Sequence, residues 1–275
     1  MKILVLLKQT FDTEEKIQID NGQVMEDGVK YIINPYDEYA LEEALRLRER
    51  LGSDIVEAIT VVCAGPERCC EALRTALAMG ADDAVLVQTD STIDDEHALS
   101  VVLASFIVTQ DADLILAGLF SVDRGAGQTA LRIAELLSWP HASAAVKLEV
   151  KQEGEAWKAY VDRDVEGDTE TVELSLPALI TSQQGLNEPR YPSLPGIMKA
   201  KRKPLRIVTI QEISSSGASA KLSGSPSADK TAMEKTKRTY LSAPPSRAAG
   251  KKLQGTAAEQ AAALVKDLRD EAKLF

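Results

Sequence analysis

Strand-length apolar runs alternate with segments of helical period through the first half of the chain, which predicts a mostly parallel sheet with helices on both faces. Residues 2–8 read as the first strand. Residues 16–19 and 23–24 flank Asp20-Asn21-Gly22; Asn-Gly readily adopts positive φ, so a small hairpin is expected ahead of the first long helix. That helix is predicted to begin with Asn34 as its cap and Pro35 in its first turn, with Asp37 and Glu38 favouring the positive end of its dipole. Ala40, Leu41, Ala44, Leu45, Leu47 and Leu51 form its apolar face, and Gly52 ends it. A strand over 55–63, a helix over 66–79 stopped by Gly80, a strand over 84–87, a helix over 94–109 and a strand over 114–117 follow. With right-handed crossovers these elements make an α/β, Rossmann-like core.

From Ala142 the alternation gives way to consecutive strands, at 142–150, 156–163, 170–174 and 178–183. Polar turns at 152–155 and 166–169 separate the first three, which predicts an antiparallel extension of the sheet. A short strand is expected over 207–213. Residues 214–228 are rich in Ser, Gly and Ala without an apolar period, and read as a linker or as an arm lying on a partner. Beyond them Thr256-Ala-Ala-Glu259 is a capping box. The helix it opens sets Ala261, Leu264, Val265, Leu268 and Ala272 on one stripe, which needs a burial partner on this chain or another. The expected organisation is one α/β domain over 1–213, including a loop over 184–203, and a C-terminal arm with an amphipathic helix over 214–275.

The stretch Leu186-Asn-Glu-Pro-Arg-Tyr-Pro-Ser-Leu-Pro-Gly-Ile-Met-Lys-Ala-Lys-Arg-Lys203 sets an apolar, proline-braced tip beside a basic run. Pro189, Pro192 and Pro195 fix φ and restrict the residue before each, so Tyr191 and Leu194 are expected to be held extended. A stiff apolar loop loses little entropy on binding, as a docking surface requires; the same prolines also suit a plain surface connection. Lys199, Lys201, Arg202 and Lys203 read as steering charges or as a solvated helix face.

Charge narrows the function classes. Lys+Arg number 32 against 42 Asp+Glu, a net charge of −10, which argues against general nucleic-acid binding. The N-terminal apolar run is too short for a signal peptide and no stretch is long enough to span a bilayer, so a cytoplasmic protein that is not membrane-embedded is expected. Cys63, Cys69 and Cys70 read as reduced, structural thiols, and neither His97 nor His141 completes a metal set or a general-base constellation.

After the fourth strand comes Gly118-Leu-Phe-Ser-Val-Asp-Arg-Gly-Ala-Gly-Gln-Thr129, leading into a helix with Leu131, Ile133, Ala134 and Leu137 on its face. Strand, glycine-rich turn and helix start aim backbone N–H groups at the crevice beyond the strand ends, where a phosphate binds well. Gly125 and Gly127 permit close approach, Asp123 is suited to a ribose hydroxyl, and Gln128 or Thr129 to phosphate. The spacing is neither a P-loop nor a dinucleotide fingerprint, and an ordinary tight βα turn has the same outline.

These residues add up to a resemblance. Val-Leu-Leu-Lys-Gln-Thr-Phe-Asp-Thr-Glu-Glu-Lys-Ile at the start, Ile33-Asn-Pro-Tyr-Asp-Glu-Tyr-Ala-Leu-Glu-Glu-Ala, Leu73-Arg-Thr-Ala-Leu-Ala-Met-Gly-Ala-Asp82, and Val161-x-Arg163-x-x-Glu166-Gly-Asp-x-Glu170-x-Val172 resemble the β-subunit family of electron transfer flavoproteins, as does the tip after Leu186. The resemblance covers about residues 1–213. It implies a Rossmann-like fold of the adenine nucleotide alpha hydrolase-like type and a heterodimer with an α subunit that holds FAD. It implies an AMP in this chain, and electrons passing from acyl-CoA and other dehydrogenases to a membrane quinone oxidoreductase. The flavin would carry the redox chemistry, so no catalytic side chain is required here.

Carried over by position, AMP is expected near Leu6, the turn of Asn34, Pro35, Tyr36 and Asp37, Cys63, and the loop of Asp123, Gly125, Ala126, Gly127, Gln128 and Thr129. Ala126 stands where the family commonly has Thr, which removes one hydroxyl. Thr13 and Tyr36 are expected near the flavin of the α subunit. Leu194 matches the anchor that enters a dehydrogenase, Glu166 an acidic residue tied to productive docking, and Tyr191, Pro195, Ile197 and Met198 the rest of the docking surface. Two other classes stay open: a relative that holds a second FAD in place of AMP, oxidises NADH and bifurcates electrons, and an adenine-nucleotide sensor without redox partners.

Overall fold

β-rich apolar runs become one twisted nine-stranded sheet in the computed structural model, which describes residues 1–89, 93–223, 234–245 and 249–274. Its strands are β1 (Lys2–Leu7), β6 (Ala58–Gly65), β7 (Asp83–Gln88), β8 (Leu114–Gly118), β9 (His141–Glu153), β10 (Ala156–Val165), β11 (Asp168–Ser175), β12 (Ala178–Ser182) and β13 (Leu205–Thr209), in the spatial order β11-β10-β9-β12-β8-β1-β6-β7-β13. Two ribbons follow β1: β2 (Gln9–Phe11) pairs with β5 (Tyr31–Ile33), and β3 (Ile19–Asp20) pairs with β4 (Gln23–Val24). The β3–β4 turn has positive φ at Asn21 and Gly22, as its sequence predicts. The chain runs outward from β1 through β6 to β7 and then returns to β8 on the other side of β1. The sheet therefore reverses direction between β1 and β8, the place where an open α/β sheet presents a ligand crevice.

Both faces are covered. On one, α1 (Pro35–Leu51) and α2 (Cys70–Met79) bury Leu41, Leu45, Leu47, Leu73 and Leu77 against Val5, Val61 and Leu116. On the other, α3 (Glu96–Ile107) and α4 (Thr129–Leu137) bury Val101, Phe106, Ile107 and Ile133 against Leu4, Val62 and Ile115. Among the described residues the further α-helices are α5 (Leu194–Ala200), α6 (Ile210–Ser215) and α7 (Ala257–Asp270). The antiparallel extension forms from β9, β10 and β11, whereas β12 re-enters between β8 and β9 and runs parallel to both. The α/β Rossmann-like reading holds.

Several local expectations are corrected. Asn34 stands at the N-terminus of α1 but makes no side-chain cap, because its amide is taken by the loop after β8. The predicted helix over 66–79 opens with a 3-10 turn over Glu67–Cys69. Leu194 is not extended: Ser193 accepts from Gly196 N, caps α5, and makes Leu194 its first residue, whereas Tyr191 stays in irregular structure. The strand expected to reach Ile213 ends at Thr209, where Thr209 and Glu212 form a capping box that turns the chain into α6. Ala218 and Leu222 are buried beneath the second helical layer, so the start of the 214–228 stretch is packed, while 224–228 lie outside the described residues. No residue of α7 is buried, so its apolar stripe finds no cover on the described chain.

Asp37 holds the reversal point together. Its Oδ2 accepts from Lys8 N at 2.7 Å, just beyond β1, and its Oδ1 accepts from Gly118 N at 3.0 Å, the last residue of β8. Burial pushes its carboxyl up to about 7 against these donors and Lys8. Gly118 leaves room for it: a Cβ there would stand 2.3 Å from Asp37 Oδ1 and 2.8 Å from the Tyr36 carbonyl carbon.

Two outcomes follow from this packing. Gly118→Ala lowers the unfolding free energy by about 1–3 kcal/mol or more, measured by urea denaturation, because one obstacle is backbone and cannot rotate away. The raised Asp37 carboxyl binds its proton more tightly in the folded state, so its stabilising contribution is fully present below about pH 4 and is lost as pH rises through about 7. Asp37→Asn, which sets an NH2 donor against one of the two N–H donors, costs about 1–3 kcal/mol and removes that slope. Denaturation midpoints of both proteins from pH 4 to 8 give the comparison, and parallel profiles would contradict it.

Candidate functional site

The crevice at the reversal point is built from three main-chain segments held in register by side chains. Asn34 reaches across it, donating from Nδ2 to Phe120 O at 2.9 Å and accepting from Val122 N at Oδ1 at 3.1 Å. Behind it the Tyr36 and Phe120 rings pack with centroids 4.2 Å apart. Asn34 and Asp37 together tie the start of α1 to the loop that runs from β8 to α4. The loop then closes on itself, with Arg124 N and Gly125 N both donating to Ser121 O. Gly125 and Gly127 have φ of 68° and 64°, a region other residues avoid, and a Cβ on Gly127 would lie 3.1 Å from Leu119 O.

Two connected spaces result. The inner crevice, about 110 Å³, has an apolar floor of Leu6, Ala64, Leu99, Leu103 and Ala117 and a polar lip of Asn34, Glu96, Gln128 and Thr129. The outer basin, about 910 Å³, lies between the β2–β5 ribbon, Arg68, the start of α3, the loop residues Asp123, Ala126 and Gln128, and Arg132. No side chain caps α4, so the N–H groups of its first turn lack an intrahelical partner and a side-chain one. An apolar slot beside a glycine-lined helix start fits an adenine base with phosphate on the helix N-terminus.

Charges are arranged around the lip. Lys8 Nζ contacts both oxygens of Asp123, at 2.6 and 2.7 Å, and Ser121 Oγ at 3.1 Å. Arg124 is bound by the main-chain and side-chain oxygens of Asp94. Glu96 Oε2 is buried at the junction of crevice and basin without a hydrogen-bond partner. Cys63 lies near the end of β6; its hydrogen bond to Cys69, and then burial, push its thiol up, while the same bond and Arg68 bring Cys69 down.

Of the predicted nucleotide residues, Leu6, Asn34, Asp37, Gly127, Gln128 and Thr129 line the crevice, and Asp123, Ala126 and Gln128 line the basin. Gly125 lies in the same turn, Pro35 and Tyr36 stand behind it, and Cys63 is one residue from the lining Ala64. Asp123, read as a ribose acceptor, is paired with Lys8. Sequence reasoning missed Lys8 and the Asp94–Asp95 pair; the Asp residues before a helix start were the available signal for the pair. Thr13 lies exposed in the turn after β2, and Glu166 has φ of 46° in the β10–β11 turn, away from the crevice.

The proline-braced tip forms a second surface. Tyr191, Leu194 and Met198 are 94%, 79% and 73% exposed, with Pro195 and Ile197 beside them. The chain beneath is pinned to α1 by Arg190, whose Nε and Nη2 donate to Glu42 at 2.7 and 2.9 Å and whose Nη1 donates to Glu49 at 2.7 Å. Asn187 Nδ2 adds bonds to Tyr39 O and Glu43. Burial opposes the Glu42 carboxylate, but Arg190 and Arg46 outweigh it and lower its pKa. On the other side Lys203 Nζ donates to Leu77 O and Ala81 O, and Arg74 to Ala200 O and Lys203 O. Lys203 is therefore neither a steering charge nor a solvated one: it caps the end of α2.

Comparison with known proteins agrees with this architecture. The electron transfer flavoprotein domain family matches residues 21–213. The chain is 47% identical over 277 residues to the electron transfer flavoprotein subunit beta of Bacillus subtilis, with all of both chains covered. It is 42% identical to that of Syntrophomonas wolfei, over 92% of this chain and 90% of the relative. The Homo sapiens subunit is 38% identical over 76% of this chain and 81% of its own length. Fold, crevice and full-length likeness converge: the chain belongs to the electron transfer flavoprotein β-subunit family and is an electron-transfer flavoprotein subunit.

Proposed function

We propose that this chain pairs with an α subunit in a cytoplasmic, FAD-containing electron carrier of fatty acid β-oxidation, and that its own crevice holds AMP. The carrier takes electrons from acyl-CoA dehydrogenases and related enzymes and delivers them to a membrane quinone oxidoreductase. Bound FAD supplies the redox chemistry. This chain's residues position and dock. Asn34 and Asp37 fix the crevice, Gly125 and Gly127 let main chain approach phosphate, and Thr13 and Tyr36 lie on the side turned to the flavin of the α subunit.

The observation that carries the reading is the prong: large apolar side chains, Leu194 foremost, left in water on a loop and short helix that Arg190 ties to buried Glu42 and exposed Glu49 of α1. An apolar patch that costs little entropy to use is suited to short encounters with several partners. Glu166, in a tight turn at the outer edge of the sheet, is assigned to the same docking event.

A second reading is favoured by the size of the outer basin, which leaves room beyond a mononucleotide for a second FAD in a bifurcating, NADH-oxidising carrier. Arg124-Gly-Ala-Gly weighs towards AMP, and an adenylate sensor would have no use for the prong.

Leu194→Ala is expected to lower kcat/KM for electron transfer from an acyl-CoA dehydrogenase about tenfold, with flavin content unchanged. An unaltered rate would remove the anchor role. Asp123→Ala frees Lys8 and loosens the glycine-rich loop, so the purified complex should retain much less AMP; wild-type nucleotide content would place the adenylate elsewhere. Absorbance and nucleotide analysis of the wild-type complex should return one flavin with one AMP, whereas two flavins without AMP would establish the bifurcating alternative.

A further inference from the structure

One wall of the basin comes from far along the chain. The segment 234–245 crosses from the start of α3 to the β3–β4 hairpin. At the first end it is gripped by Asp95, whose Oδ2 accepts from Lys235 N at 3.1 Å, Thr236 N at 2.7 Å and Thr236 Oγ1 at 2.6 Å. The other oxygen of the same carboxylate caps α3 by accepting from Ala98 N at 2.7 Å. Beside it Asp94 takes Arg238 at 3.5 Å as well as Arg124 from the glycine-rich loop. At the far end Leu241 O lies 3.9 Å from where a Cβ on Gly22 would stand. Lys235, Thr236, Arg238 and Leu241 thus face Asp123 and Gln128 across the basin.

The grip is electrostatically sound. Burial disfavours the Asp95 carboxylate, but the hydrogen bonds from Thr236, Ala98 and Lys235 outweigh it and hold its pKa at about 2, so it stays an acceptor at any physiological pH.

We propose that residues 234–241 of the arm form the outer wall of the nucleotide site, latched by Asp95, and bring the Lys235 and Arg238 cations to the phosphate side of a bound adenine nucleotide. This rests on the adenylate reading of the crevice. Because Arg124 and Arg238 share Asp94, a ligand that orders the glycine-rich loop also favours the docked strap. By reciprocity the docked strap retards the ligand's escape. Asp95 is a positioning residue in this scheme, acting through the strap.

Asp95→Asn separates the latch from the helix cap. Asparagine still caps α3 through its carbonyl oxygen, but its NH2 group meets the Lys235 and Thr236 donors and cannot accept from them. In the purified complex, isotope-labelled AMP chased with unlabelled AMP should leave roughly ten- to a hundredfold faster from this variant than from wild type. Hydrogen exchange at the Lys235 and Thr236 amides should be slowed by AMP in wild type and fast with or without AMP in the variant. Thr236→Val, which leaves the carboxylate and cap untouched, should speed AMP release by roughly threefold or more. Release from both variants at the wild-type rate, or exchange at 235 and 236 indifferent to AMP in the wild type, would overturn the wall. A wild-type complex that binds no AMP would instead overturn the adenylate reading, and fast exchange in Asp95→Asn alone would still establish the latch.

Discussion

A single desolvated carboxylate sets the geometry on which the rest of this chain relies. Asp37 accepts main-chain donors from the ends of two neighbouring strands while sitting in the first turn of α1, so three segments distant in sequence meet at one side chain. Such a group is expensive to bury, and the expense is tolerated because strand ends otherwise splay where the sheet reverses direction. Gly118 is the counterpart of that choice, since only a missing side chain lets the helix start come so close.

Helix α1 is the common member of both working surfaces. Its first turn shapes the crevice, and its middle carries Glu42 and Glu43, nearly buried, which bind Arg190 and Asn187 of the prong. An apolar helix face would have packed the same area without orienting anything. Charged hydrogen bonds with directional requirements, by contrast, fix the register of a loop that has little regular structure of its own. The prong and the crevice are therefore two attachments to one rigid rod.

Much of the layered architecture was legible because apolar periodicity dominates buried strands and helices. The β3–β4 hairpin was legible from Asn21 and Gly22 alone. What escaped was set by contacts across the chain. Asn34 looks like a cap in sequence, yet its amide is claimed by Phe120 and Val122, a partner no local pattern shows. Glu42 and Glu43 look like solvent positions until Arg190 and Arg50 neutralise them. Leu194 follows two prolines that suggest extension, but Ser193 lies at the right distance from Gly196 to start a helix, and a proline in a first turn is no obstacle. The glycine-rich loop was found from its place after a strand, whereas the arm over the basin had no sequence signal, since Thr236 and Arg238 are ordinary until Asp94 and Asp95 meet them.

The terminal helix has a bearing on how such a chain survives in a cell. With Leu264 and Val265 about half exposed, 49% and 46%, α7 offers its greasy stripe to whatever is nearest. Any copy in which that stripe stays uncovered presents the kind of patch that chaperones bind and proteases sample. A second chain that buried the stripe would remove that exposure.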